Sequence, residues 1–185
     1  MKSLVQNPSS SSSKYFVIRV FLGVMLMFIS AQVQIPLEPV PVTLHTVGTL
    51  IIALIYTRAE AISALSMYLV IGALGAPVFS EFDGGIRHLA GPTAGYLVGM
   101  LFCVYIVTSL RQKFGEKSMM HLLVYSAIGS VTVFAFGVPW LAYLIGFEKA
   151  IQFGLLPFII PGCVKAIFTA STVRLFKQKP WISKS

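Results

Sequence analysis

An all-α membrane fold, a bundle of six transmembrane helices, is predicted by three features of this sequence. Mean hydropathy is +0.84. Oily stretches alternate with short polar breaks, and the basic residues gather at every second break. Of 185 residues, 56% are hydrophobic and 11% charged, far from the composition of a soluble domain. A chain of this length has room for about six spans of roughly 20 residues each, joined by short connections.

The formal net charge of +8 does not point to nucleic acid. The basic residues form no polar face interleaved with aromatics; they stand at the ends of apolar segments, where membrane topology explains them. Cys103 and Cys163 lie inside apolar segments with no CxxC or metal-ligand spacing and are read as packing residues.

In chain order, residues 1–14 (MKSLVQNPSSSSSK) are polar and serine-rich, a composition expected to form a flexible cytoplasmic leader. The first span is expected from Tyr15 to Val33. Its Ile29-Ser30-Ala31 end resembles a signal-peptidase site, but the leader is long for an n-region and further spans follow at once. Pro36, Pro39 and Pro41 within QIPLEPVPVTLHT forbid a helix and hold the chain extended. The second apolar segment, Thr43 to Tyr56, is too short for a 30 Å hydrocarbon core at 1.5 Å per residue, so the proline segment is expected to dip into the membrane. Non-helical backbone is tolerated there only beside protein or a watery cavity, which implies a site.

A polar turn at Thr57-Arg58-Ala59-Glu60 precedes the third span, Ala61 to Gly75. Next comes GALGAPVFSEFDGGIRHLAGPTAGYLVG, residues 72–99, where two glycine-rich pieces bracket Glu81, Asp83 and Arg87. An irregular loop of this kind suits a polar ligand. The fourth span is expected from Thr93 to Leu110, followed by a basic loop over 111–117. The fifth covers 119–145, with a kink near Pro139. A polar turn at 146–152 leads to the last span, 153–176, expected to be broken by Pro157 and Pro161. A basic tail, 177–185, ends the sequence.

Six spans with a cytoplasmic N-terminus place Lys2, Lys14, Arg19, Arg58, Arg111, Lys113, Lys117, Arg174, Lys177, Lys179 and Lys184 on the inner side, which is 11 of the 14 Lys and Arg residues. Arg87 and Lys149 fall outside, and Lys165 lies within a span. This matches the excess of basic residues in cytoplasmic loops and predicts both termini inside. The proline segment and the glycine-rich loop then share the outer side. The two halves show no internal repeat, so an inverted-repeat carrier is not indicated.

Lys165 is the main candidate ligand contact. A lysine inside an apolar span costs roughly 2.5–3.5 kcal/mol on insertion scales and normally faces the bundle interior with a partner. No acidic residue stands within a turn of it. Pro161 is expected to open a helix one turn before it, adding a positive helix end to form an anion site; the alternative is a lysine snorkelling to the interface. Arg87 is either a second anion contact or a solvated loop charge. Tyr68 and Tyr96 either flank a ring-shaped ligand or serve as interfacial aromatics. Thr169 and Thr172 continue the Lys165 face and are read as packing residues. There is no HExxH, GxSxG or P-loop and no pair of carboxylates within a span. No catalytic residue, cofactor or metal is therefore expected, and His45, His88, Glu81 and Asp83 are too scattered to predict a metal site.

The blocks QIPLEPVPVTLHT, GAPVF, GG and GPTAGY, in this order, with PFII and a later lysine in the last span, resemble the BioY family. Its members are the biotin-binding S components of energy-coupling-factor (ECF) transporters. The resemblance covers residues 15–176 and implies a six-helix substrate-binding bundle in a bacterial plasma membrane. Biotin would be held near the outer face; the implied partners are a transmembrane coupling subunit and two ATPase subunits. Carried onto this sequence, the contacting regions are Pro39 to His45, Phe79 to Arg87, Thr93 to Tyr96, and Lys165. The expected binding residues are Thr43, His45, Tyr68, Phe79, Arg87, Thr93, Tyr96 and Lys165, with the lysine on the carboxylate side. Two departures stand out. Gly162 occupies the place of a family aspartate three residues before the lysine, and the small-xxx-small docking pattern of the first helix is reduced to Gly23-x-x-x-Met27. A small intramembrane enzyme or a ligand-free assembly protein is the alternative that the residues alone leave open.

Overall fold

The computed structural model describes residues 8–116 and 118–178. Eight helices and one two-stranded hairpin follow in order: α1 (Pro8–Gln32), β1 (Gln34–Ile35), β2 (Val42–Thr43), α2 (His45–Ile55), α3 (Arg58–Ala73), α4 (Ile86–Leu89), α5 (Ala94–Phe114), α6 (Met119–Ile145), α7 (Phe147–Gly154) and α8 (Leu156–Gln178). The six longer helices are α1, α2, α3, α5, α6 and α8, and they match the six expected spans in order. The regions Lys14–Gln32, Ala94–Phe114, Met119–Ile145 and Phe147–Lys177 are long and apolar enough to cross a membrane.

Helix α2 has only 11 residues, about 16 Å of helix. The hairpin continues its path: β1 and β2 pair antiparallel, Gln34 opposite Thr43 and Ile35 opposite Val42, and Leu44 N–H donates to Val33 O at 2.9 Å. This pairing satisfies backbone groups that would otherwise be orphaned at membrane depth. Val40 and Val42 are buried, so the proline segment does enter the bundle.

At the other end, α2 stops under two basic side chains that make three hydrogen bonds to it. Arg111 Nη1 donates to Ala53 O at 2.6 Å and Tyr56 O at 3.0 Å, and Lys177 Nζ donates to Leu54 O at 3.0 Å. These are carbonyls that a helix C-terminus leaves without partners, and positive charge there also suits the helix dipole. Glu116 bridges Arg111 and Lys177. Arg19 reaches buried Glu60 at 3.3 Å, and Glu60 forms a capping box with Thr57 at the start of α3. Arg19, Arg58, Arg111 and Lys177 thus collect at one end of the bundle, while Arg87 on α4 and Lys149 on α7 sit at the other.

Small residues set the closest helix packing. A Cβ on Gly95 would lie 2.7 Å from Phe136 O, and one on Gly99 would lie 2.8 Å from Val133 O, so α5 and α6 touch backbone to backbone, as tight membrane helix pairs do. Gly23 faces inward as well, with Ala64 Cβ only 2.7 Å from its would-be Cβ. The reduced small-xxx-small pattern of α1 therefore packs on α3 and does not form an outward face.

Several boundaries depart from expectation. Residues 8–14, expected to be leader, form the first turns of α1, and the rest of that segment lies outside the described residues. The basic loop is helical up to Phe114. Residues 147–154, read mostly as a polar turn, form α7, which buries Ala150 and Gly154. The last span is interrupted at Leu155, not at its prolines, and α8 runs unbroken through Pro161. Proline in the first turn removes an N–H that has no intrahelical partner anyway, which accounts for Pro157. Pro161 forfeits only the bond to the Pro157 carbonyl. The expected helix end one turn before Lys165 is therefore absent. Of the basic tail, Lys177 and Gln178 close α8 and the remainder lies outside the described residues.

Candidate ligand-binding site

A narrow chamber opens among the hairpin, α2, α5, α6 and α8. Leu97, Met100, Val133, Phe134 and Phe158 give it an apolar lining; Thr43, His45, Thr93, Tyr96 and Lys165 bring polar groups to it. An apolar cavity with a few convergent polar groups is the usual form of a small-molecule site. Five of the eight predicted residues meet here.

Lys165 comes in from α8, half-buried, and its Nζ donates to the backbone carbonyl of Thr43 at 2.6 Å. Among the described residues it has no carboxylate partner, so its charge remains available to an anion. Lys165 lines the chamber, but in place of the helix end expected beside it, its neighbour is a strand carbonyl. Tyr96 is fixed by its hydroxyl, which donates to Gly154 O at 2.9 Å, and its ring forms a cluster with Phe134 and Phe158, whose centroids lie 6.1 and 6.3 Å from it and 5.8 Å from each other.

Tyr68 and Phe79 do not line the chamber. Both are fully buried and stand behind it in a row of rings: His45 against Tyr68 at 5.7 Å, Tyr68 against Phe79 at 5.6 Å, and Phe79 stacked on His88 at 4.7 Å. The Phe79 ring lies directly on Gly72, where a Cβ would come within 2.2 Å of it. Alternation and hydropathy could not reveal this depth, because an aromatic in a loop reads as equally fit for ligand or core.

Arg87 is exposed and lines the outer mouth with Glu38, Glu81 and Asp83; the mouth adjoins the chamber through Pro41, Ser80, His88 and Thr93. His88 is the lining residue least visible in the sequence, where it reads only as one of several polar residues too scattered for a metal site. Its Nδ1 donates to Asp83 Oδ2 at 2.7 Å, and its Nε2 meets Thr93 Oγ1 at 3.2 Å. No group of three metal-binding side chains occurs among the described residues. The bond from His88, then the Gly84 N–H, hold the Asp83 carboxyl below its usual range. This contribution is complete above the ordinary carboxylate pKa of about 3.9 and is lost as pH falls through the lowered value.

The loop over the chamber is a tight closure. Phe79 N–H donates to Asp83 O at 3.0 Å, Gly85 N–H to Gly72 O at 2.6 Å, and Glu81 and Phe82 both adopt positive φ, 64° and 57°. Left-handed backbone at two non-glycine residues is costly and needs support from its surroundings. Gln32, at the end of α1, provides it. Its Nε2 donates to Phe79 O at 2.9 Å and its Oε1 accepts from Phe82 N–H at 3.1 Å, so one amide grips the loop on both sides. Gln32→Leu is expected to speed hydrogen exchange at the Phe82 amide about tenfold, the scale of one or two lost hydrogen bonds. Unchanged exchange would show that the loop is held elsewhere.

A sequence model of the BioY family matches residues 4–180. Among similar proteins, a probable biotin transporter BioY of Rickettsia prowazekii is 32% identical over 88% of this chain and 85% of its own length. Another, from Pyrococcus horikoshii, is 35% identical over 80% and 86% respectively. The crystal structure of the S component for biotin from an ECF-type ABC transporter superposes with a TM-score of 0.77, at 21% identity and 96% coverage of both chains, so the helical architecture is that of an S component.

Proposed function

The chain belongs to the BioY family, and on that premise we propose that it captures biotin at the outer face of a bacterial plasma membrane as the binding subunit of an ECF-type transporter. One observation carries the reading. A single chamber joins an apolar wall, which suits a ring and an aliphatic chain, to one lysine with no acidic partner among the described residues, which suits a carboxylate. Thr43, His45, Thr93 and Tyr96 line the ligand's path, Arg87 meets it at the mouth, and Tyr68 and Phe79 hold the wall behind His45 and His88.

The division of basic residues between the two ends of the bundle supports placing the chamber outside and both termini in the cytoplasm. The sequence offers no nucleotide motif and no carboxylate relay for ion coupling. Energy must come from partners: a transmembrane coupling subunit and two ATPase subunits. Membership of a family whose relatives are named as biotin transporters favours this transport role over an intramembrane enzyme or a ligand-free assembly protein.

Orientation and capture are tested together by cysteine labelling in a Cys163→Ser background. Ile86, 75% exposed on α4, should react as Ile86→Cys with an impermeant thiol reagent from outside intact cells, and biotin should slow that reaction. Ser118→Cys, between α5 and α6, should stay unlabelled. Labelling only at Ser118→Cys would invert the topology.

A further inference from the structure

His45 offers the chamber a hydrogen-bond acceptor whose polarity is set by the groups behind it. Tyr68 Oη lies 2.9 Å from Val78 O; a carbonyl can only accept, so the phenol's one hydrogen is committed there. The 2.7 Å contact between Tyr68 Oη and His45 Nε2 must then run the other way, with Nε2–H donating to the phenol oxygen. No carboxylate lines the chamber to stabilise an imidazolium, and Lys165 already brings a positive charge to it. The ring is therefore the neutral Nε2–H tautomer, with a bare lone pair at Nδ1. Among the described residues Nδ1 has no partner, and it is not one of the sealed polar atoms of the interior. It opens on the chamber that His45 lines.

Most of the other polar side chains of the chamber discriminate less. The hydroxyls of Thr43, Thr46, Ser80 and Thr93 both donate and accept, Lys165 only donates, and the His88 ring is engaged on both nitrogens by Asp83 and Thr93. His45 Nδ1 is a side-chain atom that can only accept from a ligand; the Tyr96 oxygen, whose hydrogen is committed to Gly154 O, is the other. We propose that His45 Nδ1 accepts a hydrogen bond from a ring N–H of the ligand's cyclic urea and so determines specificity. This rests on the biotin reading given above. A ligand that presents an oxygen there sets lone pair against lone pair in a buried site, where a polar group without its partner is penalised most. His45 and Lys165 thus read opposite polarities: one takes the neutral donor end, the other the anionic end.

The test uses the full chain in lipid nanodiscs, titrated calorimetrically with biotin and with the two cyclic carbamates in which one or the other ureido N–H is replaced by oxygen at almost unchanged shape. Wild type should bind one of the carbamates at least about tenfold more weakly than biotin. In His45→Phe that ratio should collapse towards one. His45→Gln, whose amide can donate to Tyr68 and still present an oxygen, should retain it. Lys165→Ala should weaken biotin and carbamates alike and leave the ratio intact. In a separate readout, the ¹⁵N spectrum of the histidines should show His45 Nδ1 unprotonated and shifted by biotin but not by the weaker carbamate. Equal binding of biotin and both carbamates by wild type, a ratio that persists in His45→Phe, or a protonated Nδ1 would each overturn the assignment while leaving biotin binding intact. If His45→Phe fails to fold, the wild-type spectrum decides. Failure of wild type to bind biotin would instead remove the biotin reading, and this assignment with it.

Discussion

Lys165→Ala is expected to weaken biotin binding by about 1.5–3 kcal/mol, roughly 10- to 150-fold, the scale of a charge-assisted hydrogen bond in a partly buried site. The lysine donates to a neutral carbonyl, Thr43 O at 2.6 Å, and faces no carboxylate among the described residues. The ligand's carboxylate would be its first anionic partner. Biotin amide should therefore lose a similar amount against wild type and little more against the variant, because the lysine and the carboxylate are two sides of one interaction. Equal affinity of wild type and variant for biotin would take Lys165 out of the site. Gly162, three residues before the lysine, has no side chain to compete for it, and nothing lies within 4 Å of a would-be Cβ there.

Gly137→Ala should be the most damaging small substitution near the chamber. Its Cβ would fall 2.2 Å from the Tyr96 ring, and that ring has little freedom to yield. Its hydroxyl is tied to Gly154 O, and its ring packs in one cluster with Phe134 and Phe158. The added methyl must drive α5 from α6 or push Tyr96 into the chamber. Overpacking of this kind costs about 1–3 kcal/mol in stability, and a displaced Tyr96 would fill the space meant for the ligand. The expected result is a lower unfolding midpoint with biotin binding reduced at least about 100-fold. Gly162→Ala, with open space around it, should change neither and serves as the control. Normal binding by Gly137→Ala would mean that Tyr96 is not part of the chamber wall.

Much of this architecture is legible in the sequence because a bilayer imposes few choices. Hydropathy gave the six helices in order, and the short Thr43–Tyr56 segment correctly required the proline stretch to enter the bundle. The pairing of Gln34 with Thr43 was not legible, since two-residue strands carry no periodicity. Pro161 misled for a physical reason: near a helix start, proline sacrifices a single bond and need not break the helix. Helix α7 was missed because its exposed Glu148, Lys149 and Gln152 mask the two small residues, Ala150 and Gly154, that it buries. At the site, chemistry was easier to read than depth. Lys165, Thr43, His45, Thr93 and Tyr96 converge as expected, whereas Tyr68 and Phe79 prove to be the wall behind them. His88 escaped notice because its role depends on partners, Asp83, Thr93 and Phe79, that only the folded loop brings together.

The central claim is that this chain binds biotin but does not itself drive transport. The most direct measurement is retention of radiolabelled biotin by proteoliposomes that contain the purified chain alone. The account predicts label that saturates at one biotin per chain and is insensitive to proton and sodium ionophores. Label that rises well beyond one per chain and collapses on adding an ionophore would contradict it, as would retention no greater than in protein-free liposomes.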